Sequence, residues 1–110
     1  EKRTSLRIEG LKNLIKLLQR EKNKESVESN ATSLIKIAFN SLKRSSSENE
    51  TILAMKFTSI LAVWFSGSDF ALFDKFYKIL RAKIINNSDN SIRIEACHTL
   101  AMLSVPSQID

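Results

Sequence analysis

The residues able to do covalent or metal chemistry in this sequence are few, and their spacing does not let them converge. Cys97 and His98 are the single cysteine and the single histidine. Adjacent side chains on a helix point about 100° apart, whereas a nucleophile and its base must meet within hydrogen-bond reach of one substrate atom. Cys97 falls at the edge of an apolar stripe and reads as a small buried thiol, and His98 reads as an outward-pointing surface residue. One Cys and one His cannot supply the spaced ligand set of a zinc site. Neither a glycine-rich phosphate loop nor a nucleophile elbow occurs. The expectation is a chain that is not an enzyme and uses no cofactor, metal or small-molecule substrate.

What remains is charge. The formal net charge of +5 is unevenly placed: residues 1–44 hold eleven Lys and Arg against five Asp and Glu, and residues 45–110 hold six against seven. Such asymmetry suits a polyanionic partner, and solvated lysine-rich helix faces are the plain alternative. The candidate cations are Lys12, Lys16 and Arg20 in one helical segment, Lys36, Lys43 and Arg44 in the next, and Lys75, Lys78 and Arg81 further on. Lysine and arginine heads neutralise phosphates and release their counterions, which positions a protein on RNA without reading its sequence. Aromatic interleaving and an RNA-module signature are both absent.

The elements that must carry these side chains are helices. With 2 Gly and 1 Pro in 110 residues, the chain lacks the punctuation of an all-β fold, and its length suits one domain. Thr51 to Phe65 dominates the pattern. From Ile52 to Phe65 only Lys56, Thr58 and Ser59 are not apolar, so the apolar positions surround almost the whole helix and need neighbours on both flanks. The segment is too short to span a bilayer. Ser47 followed by Glu50 predicts a capping box at its start, and Gly67 suits a left-handed cap at its end.

On either side the periodicity predicts surface helices with one buried face. The first covers about Thr4 to Arg20, with Leu11, Leu14, Ile15 and Leu18 as its stripe. The second covers about Val27 to Arg44 behind an N-cap at Ser26, burying Val27, Ala31, Leu34, Ile35, Ala38, Phe39 and Leu42. After the central helix, a fourth runs from Ser68 or Asp69 to about Ile85 on Phe73, Phe76, Tyr77, Leu80 and Ile84. A fifth runs from about Ser91 to Ser104, burying Ala96, Leu100 and Leu103, capped from the Asp89–Ser91 turn and stopped by Pro106. Trp64, Phe65, Phe70, Phe73, Phe76 and Tyr77 gather around one connection and read as core between the third and fourth helices. The chain has no initiator Met, no signal-peptide pattern and no cysteine pair, so the expectation is an intracellular fragment of a longer protein.

Internal similarity refines the picture. Arg7-Ile8-Glu9 with Leu14 matches Arg93-Ile94-Glu95 with Leu100, and the offset of the matching positions is twice 43. Phe57, Ile60, Leu61 and Trp64 repeat the spacing of Leu11, Leu14, Ile15 and Leu18 between them. A helix pair per unit of about 40 to 47 residues is the period of armadillo and HEAT arrays. The expected fold is therefore an all-α, right-handed α-solenoid of about two and a half repeats, five helices in all, in which the middle unit is covered from both sides. Asp89-Asn90-Ser91-Ile92-Arg93 with Ala96 and Leu100 resembles the HEAT pattern, which makes Arg7 and Arg93 structural residues that pair with carboxylates of an adjoining repeat; Trp64 is the third structural position.

Over nearly its full length the chain resembles the interferon-related developmental regulators in their N-terminal armadillo-like region. Lys2 with Ile8-Glu9-Gly10-Leu11-Lys12 is similar to that family's Lys and Leu-Glu-Gly-Leu-Lys run. Leu42-Lys43-Arg44 before a Ser/Glu-rich turn is similar to its Leu-Lys-Lys and acidic turn, and Arg93 and Cys97 fall where the family has Arg and Cys four apart. The central helix here is bulkier than the family's and ends Trp64-Phe65-Ser66-Gly67. The resemblance implies a protein that associates with ribosomes through ribosomal RNA and protein, represses translation and also acts as a co-regulator of transcription through protein contacts, cytoplasmic with a nuclear pool. The alternative class is an armadillo/HEAT interaction scaffold, such as a transport adaptor, whose groove takes a peptide; an Asn ladder would favour it, and Asn40 is the one candidate.

Overall fold

Local sequence sets where each helix starts, and the clearest case is the central one. Ser47 stands in extended backbone at φ −132° and ψ 160°, and its Oγ accepts the Glu50 N–H at 3.2 Å, satisfying a donor that the first turn leaves unpaired. The computed structural model describes residues 2–20, 24–45, 47–65, 74–86 and 89–104. These form six helices and no strand: α1 (Lys2–Arg20), α2 (Lys24–Ser29), α3 (Ala31–Arg44), α4 (Glu48–Trp64), α5 (Asp74–Asn86) and α6 (Asn90–Ser104).

The expected five helices are thus six, because the second predicted helix breaks at Asn30. Ser29 Oγ and Asn30 Nδ2 both donate to the Ser26 carbonyl, each at 2.9 Å, and the Asn30 N–H falls back to Val27 O at 3.1 Å. Side-chain amides and hydroxyls that compete for backbone carbonyls end a helix turn in this way. Ser26 consequently lies inside α2 and is not an N-cap. The predicted cap at Gly67, the start of the fourth predicted helix, Phe70, Phe73 and Pro106 lie outside the described residues.

Helix α4 packs against α1, α3 and α6, while α5 packs chiefly on α6. Direction follows from paired contacts. Phe39 meets Phe76 edge-on at 5.4 Å and Ser45 meets Lys83, so α3 and α5 run the same way; Tyr77 Oη donates to Leu103 O while Ile84 lies beside Asn90, so α5 and α6 run oppositely. The Cα envelope measures 37 × 29 × 19 Å, its short dimension about that of two helices in contact.

The core is built from the predicted stripes. Leu11, Leu18, Val27, Ile35, Ala38, Leu42, Phe76, Leu80, Ala96 and Leu103 are buried, and Leu14, Ile15, Leu34, Phe39 and Leu100 pack against them. In α4 the enclosure expected from its sequence is present: Ala54, Met55, Phe57 and Leu61 have no exposed surface, Ile60 and Trp64 are half-buried, and from Ile52 onward the exposed residues are Lys56 and Val63. The polar residues of α4 are buried too. Thr51 Oγ1 donates to Ser47 O at 2.8 Å, Thr58 Oγ1 to Ala54 O at 2.8 Å, and Ser59 Oγ has Met55 O at 3.1 Å, so each hydroxyl is satisfied one turn back. Ser59 and Thr99 meet at 3.1 Å between α4 and α6, where their small size lets the two helices approach.

Candidate nucleic-acid interface

The cationic side chains follow from the same periodicity that buries the stripes, because each charged position alternates with an apolar one on the opposite helix face. On α3, Lys36, Lys43 and Arg44 are exposed opposite Ile35, Ala38 and Leu42. On α5, Lys75, Lys78 and Arg81 are exposed opposite Phe76 and Leu80. Lys12, Lys16 and Arg20 are exposed on α1. Since α3 and α5 lie side by side, two of the three groups share a neighbourhood, and the α1 group sits on a helix that packs chiefly on α4.

Two contacts join α3 and α5. Lys75 Nζ lies 4.4 Å from the centroid of the Phe39 ring, a cation–π distance, and that ring is itself held edge-on by Phe76. Lys83 Nζ reaches Ser45 Oγ at 3.4 Å across the far end of the same seam. Lys83 is not among the cations that the sequence singles out; its position four residues after Ile79 and three after Leu80 is the available signal, since that places it on the side of α5 turned toward α3. Asn40, offered as an inner-helix asparagine, is half-buried.

The structural residues divide. Arg7 forks onto Glu50, with Nε to Oε2 at 2.6 Å and Nη2 to Oε1 at 3.3 Å, and also donates to Thr4 Oγ1 at 3.3 Å. The Glu50 side chain is fully buried and that of Arg7 is 40% exposed. Of the predicted capping box, the Glu50 N–H makes the half that bonds Ser47 Oγ, while the Glu50 carboxylate receives the guanidinium of a helix 43 residues away in register. A buried carboxylate is tolerated only when paired in this way. Arg93 is exposed and has no ion-pair partner among the described residues. Trp64 packs half-buried against the core.

Cys97 corrects its expectation, for it is exposed. It lies on the side of α6 turned away from α4, where nothing described covers it. His98 is exposed as expected, 3.7 Å from the Glu95 carboxylate on the same helix. Among the described residues no group of three or more His, Cys, Asp or Glu could hold a metal, and no helix is long and apolar enough to cross a membrane.

One pair of titratable groups is perturbed. Glu48, the first residue of α4, and Asp89, just before α6, share a hydrogen bond. That bond, and then the Asp89 charge, raise the Glu48 carboxyl above its ordinary 4.5. The same bond lowers Asp89 below its ordinary 3.8, with desolvation opposing and the Ser91 and Ile92 N–H groups assisting. Asp89 Oδ1 accepts the Ser91 N–H at 2.9 Å, which makes it the cap of α6.

The described residues thus form an all-helical fold of six helices with exposed cations on α1, α3 and α5. The chain belongs to the Interferon-related developmental regulator (IFRD) family, whose family model matches residues 1–109, nearly the whole chain. No curated protein and no solved structure matches it.

Proposed function

We propose that this chain is a non-enzymatic helical-repeat module that associates with ribosomes, contacts ribosomal RNA through its basic faces and contributes to repression of translation. Family membership, together with the exposed cations of α3 and α5 on two adjoining parallel helices, is the observation that carries this reading. In the proposed architecture α1, α4 and α6 are the first helices and α3 and α5 the second helices of an armadillo/HEAT-like α-solenoid. The packing of α4 on both α1 and α6, the common direction of α3 and α5 and the 43-residue reach of the Arg7–Glu50 pair all suit such stacking. Stacked second helices align Lys36, Lys43, Arg44, Lys75, Lys78 and Arg81 into one strip, with Lys12, Lys16 and Arg20 as a separate patch. A strip of point charges on a helical surface fits phosphates by charge and shape.

The test is a fourfold charge reversal, Lys36, Lys43, Lys78 and Arg81 each to Glu, followed by ribosome co-sedimentation over a salt series. These side chains are exposed, so the variant retains its helicity. Binding should weaken and the dependence of log affinity on log salt should flatten, by about 0.7 to 0.9 for each phosphate that the variant no longer neutralises. Co-sedimentation unchanged in both strength and salt slope removes the strip from the interface. A peptide-binding scaffold is the second reading, favoured by an open cleft of about 280 Å³ lined by Leu14, Leu17, Val27, Leu34 and Ile37, of which Leu17 and Ile37 are exposed. Ribonuclease treatment of a pull-down separates the two, because partners held through RNA are released and partners held in an apolar cleft are kept.

A further inference from the structure

Helices α1 and α6 carry the same docking edge, and in this structure one copy is covered while the other is bare. On α1 the edge consists of Thr4, Arg7, Ile8 and Leu11; the residues 86 further on are Asn90, Arg93, Ile94 and Cys97. Each set places a polar side chain one turn before an arginine, with apolar groups at the next positions of the same face. Against α4, the α1 edge is used in full: Thr4 Oγ1 and the Glu50 carboxylate both take the Arg7 guanidinium, Ile8 is half-buried and Leu11 is 4% exposed. On α6 the equivalents line a cleft of about 370 Å³ that is open to solvent, together with Ile84 of α5; Ile94 is 69% exposed and Cys97 and Arg93 are exposed.

We propose that the Arg93 edge of α6 is a docking site for a further helix bearing a carboxylate in its first turn, received by Arg93 as Arg7 receives Glu50. The occupant is defined by charge and shape. Its acidic residue stands where Glu50 stands, third in its helix, followed by an apolar stripe that covers Ile94 and Cys97. A second copy of this chain does not meet the description through α1 or α6, since their third residues are Thr4 and Ile92. Of the helix starts described here, that of α4 carries the required carboxylate. The inference stands on the α1–α4 packing and does not depend on what the basic strip contacts.

Cys97 provides the reporter, being the single cysteine and exposed within the cleft. The experiment appends a second copy of residues 47–86, which contain no cysteine, after Asp110 and measures the rate at which a thiol reagent modifies Cys97. Docking of the appended hairpin should slow modification about tenfold or more relative to the parent chain, because reaction then requires local opening. Either Arg93→Ala or a Glu→Gln change at the appended counterpart of Glu50 should restore most of the parent rate. Both substitutions fall on exposed or added positions, and circular dichroism of each variant confirms that the host fold is kept. An unchanged rate in the appended chain overturns the proposal, as does a slowing that survives both substitutions. Protection accompanied by a doubled mass in size-exclusion chromatography also overturns it, since a second copy would then be the occupant.

Discussion

Arg7 and Glu50 show how much one ion pair decides when one partner has no access to water. Sequence spacing is enough to mark Arg7 as structural, because its match in Arg93 sits at the repeat distance. Glu50 is legible as a cap residue, and its backbone is one, but nothing in a local motif says that its carboxylate will be sealed beneath another helix. Replacing Arg7 by Met takes the guanidinium away from that buried carboxylate and should cost about 2 to 3 kcal/mol in urea unfolding, less than for a fully buried pair because Arg7 itself is 40% exposed. Replacing both Arg7 and Glu50 by Met removes the buried charge itself and should recover most of the loss. A double variant as unstable as the single one would mean that the bond geometry, and not the buried charge, governs the site. Glu48 and Asp89 make the opposite case, an exposed acid and a half-buried one whose interaction is set by one shared proton. Because the folded Glu48 pKa is raised, its contribution to stability is complete below the ordinary 4.5 and is lost as pH rises through the folded value. Because the folded Asp89 pKa is lowered, its contribution is complete above the ordinary 3.8 and is lost as pH falls through the folded value. Above both, the like charges of two helix starts remain side by side. Glu48→Gln keeps a donor for Asp89 at every pH, so it should stabilise the fold at neutral pH and lose that advantage as Glu48 protonates in the parent. Carboxyl NMR titration of the parent should show the two pKa values split in these directions.

At the scale of elements, what the sequence shows and what it hides have separable causes. Apolar periodicity is a property of one helix, and it locates α1, α4 and α6 and the buried stripes of α3 and α5. The break at Asn30 is hidden because Val27, Ala31, Leu34 and Ile35 keep a helical spacing across it, while the side chains of Ser29 and Asn30 divert the Ser26 carbonyl. The exposure of Cys97 is hidden for a different reason. Its counterpart Leu11 is buried by α4, and no periodicity reports whether a given edge has a neighbour. Polar positions inside α4 look like interruptions of an apolar surface, yet Thr58 and Ser59 are spacers that return their hydroxyls to the preceding turn. Size is therefore the property under constraint at Ser59. Ser59→Ala should change stability little, since removing the hydroxyl leaves no orphaned donor of its own, whereas Ser59→Leu forces α4 and α6 apart and should cost about 1 to 3 kcal/mol by overpacking. Equal effects of the two substitutions in thermal unfolding would show that the hydroxyl pair with Thr99, not the close approach, holds the helices together.

At the scale of the whole molecule, the charge asymmetry and the near-constant separation of helix partners are both present in the sequence, and the structure joins them. Cation-bearing helices that are far apart in the chain lie side by side because α3 and α5 share a seam and a direction, with Lys75 against Phe39 and Lys83 against Ser45. What the exposed cations of α3 and α5 contact lies outside anything that hydrophobic recurrence encodes, since solvated faces and binding faces have the same composition. Cooperativity, by contrast, follows from the packing. Helix α4 is the common neighbour of α1, α3 and α6, so none of these can part from it without exposing its own buried face. The amides of α4 should then exchange with solvent only through global unfolding, while those of α2, six residues held chiefly by α3, should exchange through local opening. Leu61, which has no exposed surface, offers the test. Leu61→Ala should lower the exchange free energy of protected amides in α3, α4 and α6 by one common amount, about 2 to 5 kcal/mol, and leave α2 unchanged. Protection in α6 that is untouched by the substitution would show that α5 and α6 fold as a unit of their own, and the cooperative role assigned to α4 would then end at α3.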